Sequence, residues 1–400
     1  MFQPDKSPLT RSPLTVTIVG GGSSAHVLIP LLSTRGHKVQ LMTRKPSMWS
    51  KKVRLEHHSM KEEVLENFEG ALSNISDLPE EVISNADVIV LCMPVHQYRD
   101  ALHRLAPYIS ERKHEVFLGT VYGQGGFNWM VHEIEQKYDL HVVTFACGLI
   151  PWICRTIEYG HKGVIYGCKH VNVVAVTPAE KFARLNESFL MDICYRFFGK
   201  GKFEQACSFL SLTLSVDNQI IHPARCFGLW RRYRGRWKNC DEVPLFYKDF
   251  DEVSAQTLAH LDMDFTNIRS AIRRRFSDRP FTFMLDYMSL ERRTQGTNYD
   301  DRLGVIKTPT ICIDGVHFLD TDSRFFKDDI PYGLLIAKWM AERLDLKTPF
   351  IDAVIDWAQT IRGEVFIRDG KIAIDECLKG KNRTGIPPSY GIYDIDALLD

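Results

Sequence analysis

The feature that most restricts this chain is a β-branched run that stops on three glycines. Leu14-Thr-Val-Thr-Ile-Val19 leads directly into Gly20-Gly21-Gly22-Ser23-Ser24-Ala25. The run reads as a buried strand, and the glycines after it read as a tight turn into a helix. Gly20 permits the turn, Gly22 lets backbone approach a ligand with no Cβ in the way, and Ala25 allows close helix–strand packing. A helix N-terminus with open N–H groups attracts phosphate, so Gly20, Gly22, Ser23, Ser24 and Ala25 form a candidate pyrophosphate cradle. Pro30 falls about two turns into that helix, where it should remove a hydrogen bond and kink the axis.

Further strands occur at intervals that suit a doubly wound parallel α/β sheet: Lys38–Thr43, Asp87–Cys92, Glu115–Thr120, His141–Phe145, Gly163–Tyr166 and Val171–Val176. Together they suggest a sheet of about seven strands. From Pro178 the pattern changes to apolar residues three and four apart, as in Ala255-Leu258-Leu261-Phe265-Ile268-Ile272. Leu334–Leu344 and Ile351–Ile361 repeat it. The second half is therefore expected to be mainly α-helical. The sequence divides into a dinucleotide-binding domain over 1–200 and a helical substrate domain over 201–400, with the boundary at Gly199-Lys200-Gly201. Residues 1–13, with two Ser-Pro pairs and no apolar core, read as a disordered tail rather than a signal peptide.

The end of the second strand bears on cofactor choice. Sites for NAD usually carry an acid there, on the ribose 2′-hydroxyl. This chain has Thr43-Arg44-Lys45, a hydroxyl and two cations, which favour a 2′-phosphate and so NADP(H) over NAD(H). Pro94, at the end of the third strand, is placed beside the cofactor as well. The 50 basic residues equal the 50 acidic ones, which argues against nucleic-acid or membrane-surface attraction. The clusters Arg231–Arg236 and Arg273–Arg275 read first as solvated faces, with an anionic substrate site as the alternative. No stretch approaches a membrane span, and the ten cysteines show no ligand spacing, so no metal is expected. A reduced, cytoplasmic protein fits this pattern. No heptad or apolar stripe decides oligomeric state, and a homodimer is one option.

Three later segments carry polar groups that packing does not demand: Asn218-Gln-Ile-Ile-His222-Pro223, Arg324-Phe-Phe-Lys-Asp328-Asp329-Ile-Pro-Tyr-Gly333, and Gly148-Leu-Ile-Pro151-Trp152-Ile-Cys154-Arg155. A histidine before proline is expected in an extended backbone. Taken alone, His222 reads first as a core or capping histidine, and Arg324 with Asp329 as a surface pair.

With these strings in order the chain resembles the octopine/nopaline (opine) dehydrogenase family. The resemblance rests on Gly-Gly-Gly-x-x-Ala-His, Gln124-Gly-Gly-Phe127, Pro151-Trp152-x-Cys154-Arg155 with Glu158-Tyr159-Gly160, Asn218…His222-Pro223 and Arg324…Asp329-Ile-Pro-Tyr-Gly. Thr348-Pro349, Ile355-Asp-Trp-Ala-Gln359 and Ser389-Tyr-Gly391 continue it. It implies a Rossmann domain followed by a helical domain like that of 6-phosphogluconate dehydrogenase. The implied activity is NAD(P)H-dependent condensation of an amino acid with a 2-oxo acid. It also assigns roles: His222 as acid/base, Asp329 on its other nitrogen, Arg324 on a substrate carboxylate, and Asn218 and Trp152 in substrate binding. The competing readings are a 2-oxo-acid or ketopantoate-type NADP reductase, and a sensor that binds NADP(H) without catalysis.

Overall fold

The computed structural model describes residues 12–59, 61–111, 114–295 and 306–399. Of the tail expected over 1–13, only Ser12 and Pro13 lie within the described residues. Two compact units emerge. One draws on Met1–Gly123, Phe127–Leu212 and Arg292–Thr297, the other on Gln124–Gly126, Thr213–Glu291 and Asn298–Asp400.

The first unit contains β1 (Thr15–Val19), α1 (Ser23–Thr34), β2 (Lys38–Met42), β3 (Lys52–His58), β4 (Val64–Ala71), β5 (Asn74–Ser76), β6 (Val88–Leu91), α2 (Tyr98–Ser110), β7 (Phe117–Thr120), α3 (Phe127–Tyr138), β8 (Val143–Cys147), β9 (Trp152–Glu158), β10 (Lys162–Cys168), β11 (Val171–Thr177) and β12 (Lys202–Ala206). Its main sheet has eight strands in the order β12-β11-β8-β7-β6-β1-β2-β5. The run from β8 to β5 is parallel throughout. Numbered among themselves, those strands follow the dinucleotide-binding order 3-2-1-4-5-6, which puts the reversal of strand order beside the C-terminal end of β1. This is a Rossmann sheet, and the glycine turn occupies its switch point.

Two expectations for this sheet need correction. The Val171–Val176 run lies in it as β11 but antiparallel to β8, and β12 then pairs parallel with β11. That last pairing carries the first unit past the Gly199-Lys200-Gly201 turn. The Gly163–Tyr166 run does not join the main sheet at all. It is part of β10, in a separate four-stranded sheet of order β4-β3-β10-β9.

That second sheet explains Pro30. α1 runs unbroken through the proline, and Ser24 to Leu32 are all buried. The helix lies between the two sheets, so an apolar residue suits every face of it. Gly70 of β4 meets it so closely that a Cβ there would stand 2.5 Å from the Pro30 Cα and 2.6 Å from the Ile29 carbonyl oxygen. Burial on both sides of the helix offsets the one hydrogen bond that Pro30 forgoes.

The second unit is mainly helical, with α4 (Asn218–Tyr233), α5 (Glu252–Arg275), α6 (Leu335–Arg343) and α7 (Pro349–Arg362). Short strands at Arg236–Trp237, Thr310–Ile313 and Val316–Leu319 form a small additional sheet. α4 and α5 cross at Gly228, where a Cβ would lie 2.9 Å from the Ser254 Cα. The buried Asp264 of α5 accepts the Phe350 and Ile351 N–H groups, each at 2.9 Å, and so caps α7 from a neighbouring helix. Among the described residues no helix is long and apolar enough to cross a membrane, and no cluster of metal-ligating side chains occurs. All ten cysteines are free thiols.

The fit of α1 against β4 gives a direct test. Gly70→Ala should lower stability by about 1–3 kcal/mol, because neither Pro30 nor the Ile29 carbonyl can retreat from the added methyl. Equilibrium denaturation of the two proteins measures it, and an unchanged midpoint would mean that the contact is loose.

Candidate active site

The glycine turn is shaped by the strand ends around it. Gly20 has φ +99°, a conformation that favours glycine, and its N–H donates to the Met42 carbonyl at 2.9 Å. The Gly22 N–H donates to the Cys92 carbonyl at 3.2 Å, and a Cβ on Gly22 would come within 2.9 Å of that same oxygen. Gly22 is the N-cap of α1, and no side-chain oxygen caps the helix. The first turn thus presents N–H groups and the positive dipole end to a ligand, which fits a dinucleotide pyrophosphate. Ser23 and Ser24 begin the helix, with the Ser23 hydroxyl 3.2 Å from that of Thr156, and Ala25 is buried.

His26 holds the turn from outside. Its Nε2 accepts the Gly160 N–H at 2.9 Å, so the proton sits on Nδ1, which donates to the Gly22 carbonyl at 3.0 Å. Burial lowers its pKa and favours this neutral form. Trp49 packs 4.6 Å from the His26 ring, and a Cβ on Gly21 would run into the Tyr159 hydroxyl. At the end of β2, Thr43 is buried and accepts the Lys45 N–H at 3.3 Å, while Arg44 and Lys45 project as exposed cations. Pro94 is half-buried after β6, on the residues next to the Cys92 carbonyl that anchors Gly22.

In the second unit the chain brings His222 and Asp329 together across 107 positions of sequence. His222 Nδ1 donates to Asp329 Oδ2 at 2.8 Å. The imidazole side chain has no exposed surface, and it stacks on Phe325 with ring centroids 3.8 Å apart. Burial pushes the Asp329 carboxyl well above the ordinary carboxylate range. The positive charge of Arg324 opposes that shift, while Asp328 and Asp217 add to it. A short, dry hydrogen bond therefore joins the two groups. The other nitrogen, Nε2, is bonded to the Tyr247 hydroxyl at 2.8 Å.

The contact depends on an irregular turn. Ile330–Leu334 forms a π-helical turn between Arg324–Lys327 and α6. It approaches α4 at Gly333, where a Cβ would lie 2.8 Å from both Cβ and Cγ of the buried Gln219. Gln219 in turn donates through Nε2 to the Tyr332 carbonyl at 3.0 Å. The Tyr332 hydroxyl donates to the Asn382 carbonyl at 2.9 Å, and Gly385 passes tightly over its ring. π-turns of this kind cluster at functional sites because the extra residue redirects a side chain.

The other expected residues occupy varied settings. Arg324 is exposed at the start of its helix, its guanidinium 5.4 Å from the Phe325 ring, close enough to act on the charge of Asp329. Asn218 opens α4, one turn before His222, with its N–H capped by the Asp217 carboxylate. His222 is not in extended backbone. It lies inside α4 with Pro223 after it, because the buried face of that helix outweighs the pre-proline preference. Trp152 is not placed for substrate either. Its indole is buried in the apolar core of the first unit and donates to the Ile193 carbonyl at 2.9 Å, a packing role. The Arg231–Arg236 cluster forms an exposed face whose cations lie over Phe227, Tyr233 and Phe318.

Residues 205–362 match the helical domain of the NAD/NADP octopine/nopaline dehydrogenases. Residues 15–145 match the N-terminal domain of NAD-dependent glycerol-3-phosphate dehydrogenase. The chain is 27% identical to the octopine dehydrogenase of Pecten maximus, over 96% of this chain and 98% of that protein. It is 26% identical to the opine dehydrogenase of Haliotis discus hannai, over 97% and 98% respectively. A solved octopine dehydrogenase in complex with NADH and agmatine shares the fold, with a TM-score of 0.77 at 22% identity over 96% of this chain and 98% of that one.

The chain thus carries the helical domain of the octopine/nopaline dehydrogenases and is similar to opine and octopine dehydrogenases over nearly their full length. It is a nicotinamide-dependent dehydrogenase, and as an opine-type enzyme it acts on a CH–NH bond. Sequence reasoning missed four side chains around His222: Tyr247, Phe325, Gln219 and the buried Arg225. Tyr247 sits in Pro244-Leu-Phe-Tyr-Lys, a short aromatic run with no period or motif to mark it. Gly333 belongs to one of the family strings, but nothing near it in sequence says why it must be glycine.

That reason is testable. Gly333→Ala should displace the π-turn from Gln219, lengthen the His222–Asp329 contact and lower kcat by about 10- to 100-fold. Affinity for the nicotinamide cofactor, measured by fluorescence titration, should not change. Full activity in this variant would show that the close approach is not needed.

Proposed function

We propose that the enzyme condenses an amino acid with a 2-oxo acid, and that His222 is the acid/base for the step that forms the imine. The observation that carries this reading is the 2.8 Å bond between His222 and Asp329 in a site without solvent on the imidazole. Asp329 fixes the tautomer by holding a proton on Nδ1, which leaves Nε2 for the reacting groups. When bound, the nicotinamide cofactor supplies the hydride. Everything else falls to the chain. A proton must leave the attacking amine, another must reach the carbinolamine hydroxyl so that water departs, and the 2-oxo acid must be held by its carboxylate. Arg324, exposed beside the dyad and able to bind a carboxylate bidentately, suits that last role. Asn218, one helical turn before His222, suits a contact to the amino-acid portion.

We further infer a preference for NADPH. Arg44 and Lys45 stand exposed at the end of β2 where an acid would otherwise select the 2′-hydroxyl. The ten free cysteines fit a reducing compartment, so we place the enzyme in the cytoplasm.

A matrix of amino acids against pyruvate, 2-oxoglutarate and glyoxylate, read by NADPH loss, tests the reaction. Oxidation should require both partners, and oxidation with a 2-oxo acid alone would instead favour a simple 2-oxo-acid reductase. In the active pair, His222→Asn should reduce kcat by about 10²–10⁴-fold with NADPH affinity nearly intact. Loss of cofactor binding in that variant would make His222 structural. Arg44→Ala should raise the KM for NADPH by about tenfold and leave that for NADH within about twofold, the difference a lost charge-assisted contact produces. Equal effects on both cofactors would remove Arg44 from the 2′-phosphate site.

A further inference from the structure

We propose that Tyr247 is a catalytic residue, the phenol through which His222 exchanges protons with the substrate. This rests on the reading of the site as one for reductive condensation. An acid/base group must reach to about 2.6–3.2 Å of the atom that it serves. His222 is poorly placed to do so by itself. Its side chain has no exposed surface. One ring face lies on Phe325, Phe246 packs at 5.6 Å, and Nδ1 is committed to Asp329. Nε2, the nitrogen that the chemistry needs, already faces the Tyr247 hydroxyl at 2.8 Å. Tyr247 itself is only half-buried. Tyr247 is thus the member of the pair that is not fully buried.

The phenol is also held in place by a frame built for that segment. The buried Arg225, one turn beyond His222 on α4, donates to the Leu245 carbonyl at 3.2 Å and to Asp251 Oδ2 at 3.0 Å. Those two contacts bracket Tyr247. Between them the Leu245 N–H donates to Asp249 at 2.7 Å, the Phe246 N–H to the Ile306 carbonyl at 2.8 Å, and the Phe250 N–H to the Tyr247 carbonyl at 3.2 Å. Asp251 is in turn the N-cap of α5 and accepts the Ser254 N–H at 2.8 Å. A buried arginine paired in this way is costly to disturb, so α4 sets the histidine and its phenol together.

The step balances without any other reactant. The proton released by the attacking amine first passes through the Tyr247 phenol to Nε2 of His222, which becomes an imidazolium. As the carbinolamine then loses water, the Tyr247 O–H gives its proton to the departing hydroxyl, and the Nε2–H of His222 passes its own to the phenol oxygen. The C–O bond breaks with its electron pair on the water, and the nitrogen lone pair closes the C=N bond. The Nδ1 proton stays directed at Asp329. Because both protons move together, the phenol carries no net charge, and the high pKa of about 10 that is usual for a phenol is no obstacle.

Two measurements decide it. The first needs no substrate: carbethoxylation of His222 by diethyl pyrocarbonate, followed by peptide mass spectrometry. His222 should be protected in the native enzyme and react at least about tenfold faster in Tyr247→Ala; equal rates in the two would show that the phenol does not cover Nε2 and would overturn the proposal. The second uses the amine and oxo-acid pair that the native enzyme turns over. Tyr247→Phe keeps the ring and should lose about 10²-fold in kcat, a typical acid–base contribution, with substrate and NADPH KM values within about threefold. Its thermal unfolding midpoint, compared with the native enzyme's, guards against a folding defect. A kcat within about threefold of native would refute the relay and leave the dehydrogenase reading standing. A native enzyme inactive with every pair would instead refute that reading, and the relay with it.

Discussion

The whole arrangement turns on a single hydrogen bond between two groups that water would otherwise separate. His222 and Asp329 are both buried, and an isolated carboxylate in such a place is unfavourable. The bond relieves that by placing a donor on the carboxyl, and the same desolvation strengthens the interaction. Three further features serve it. The π-turn aims Asp329 inward, Gly333 removes the Cβ that would keep α4 away, and Gln219 ties the two elements across the gap. Arg324 supplies a positive field from the exposed side.

The cofactor half depends on a different constraint, the burial of α1 on both faces. A surface helix with a proline in it would be frayed. Here the main sheet lies on one side and the β4-β3-β10-β9 sheet on the other, so the axis tolerates Pro30. The added sheet does more than cover the helix. Its β9–β10 turn brings Gly160 to His26, and His26 reaches back to the Gly22 carbonyl, so the phosphate turn is buttressed from outside the standard strand–turn–helix unit.

How much of the fold and site is legible in the sequence depends on the range of the interactions. The β1 strand, the glycine turn and α1 are local, and their signals sit within a few residues of each other. The helices α5, α6 and α7 have apolar spacing that packing alone demands, and they occur where that spacing does. By contrast β3 and β4 are not among the expected strands: Lys52-Val-Arg-Leu-Glu alternates but is short and heavily charged, and Glu66-Asn-Phe-Glu has no period of two. The antiparallel direction of β11 is decided by its neighbour β8, and no residue in Val171–Thr177 encodes it. His222 and Asp329 are linked by family resemblance, since nothing in a separation of 107 residues predicts a contact. Trp152 illustrates the opposite error: a conspicuous aromatic within a family motif whose indole serves the core. Tyr247 lacks any periodic or motif signal, because its position is set by the ion pair between Arg225 on α4 and Asp251 at the start of α5.

If His222 and Asp329 act as one acid/base unit, their removal should not be additive. The most direct measurement is kcat for His222→Asn, Asp329→Asn and the double variant with the active amine and oxo-acid pair. Asp329→Asn alone should be strongly impaired. The neutral amide accepts the Nδ1 proton more weakly, can present its NH2 to Nδ1 instead and so favour the other tautomer, and cannot stabilise the imidazolium. The double variant should be no slower than His222→Asn by more than about threefold, the behaviour of residues that work together. Losses that multiply, or an Asp329→Asn enzyme near native activity, would contradict the dyad.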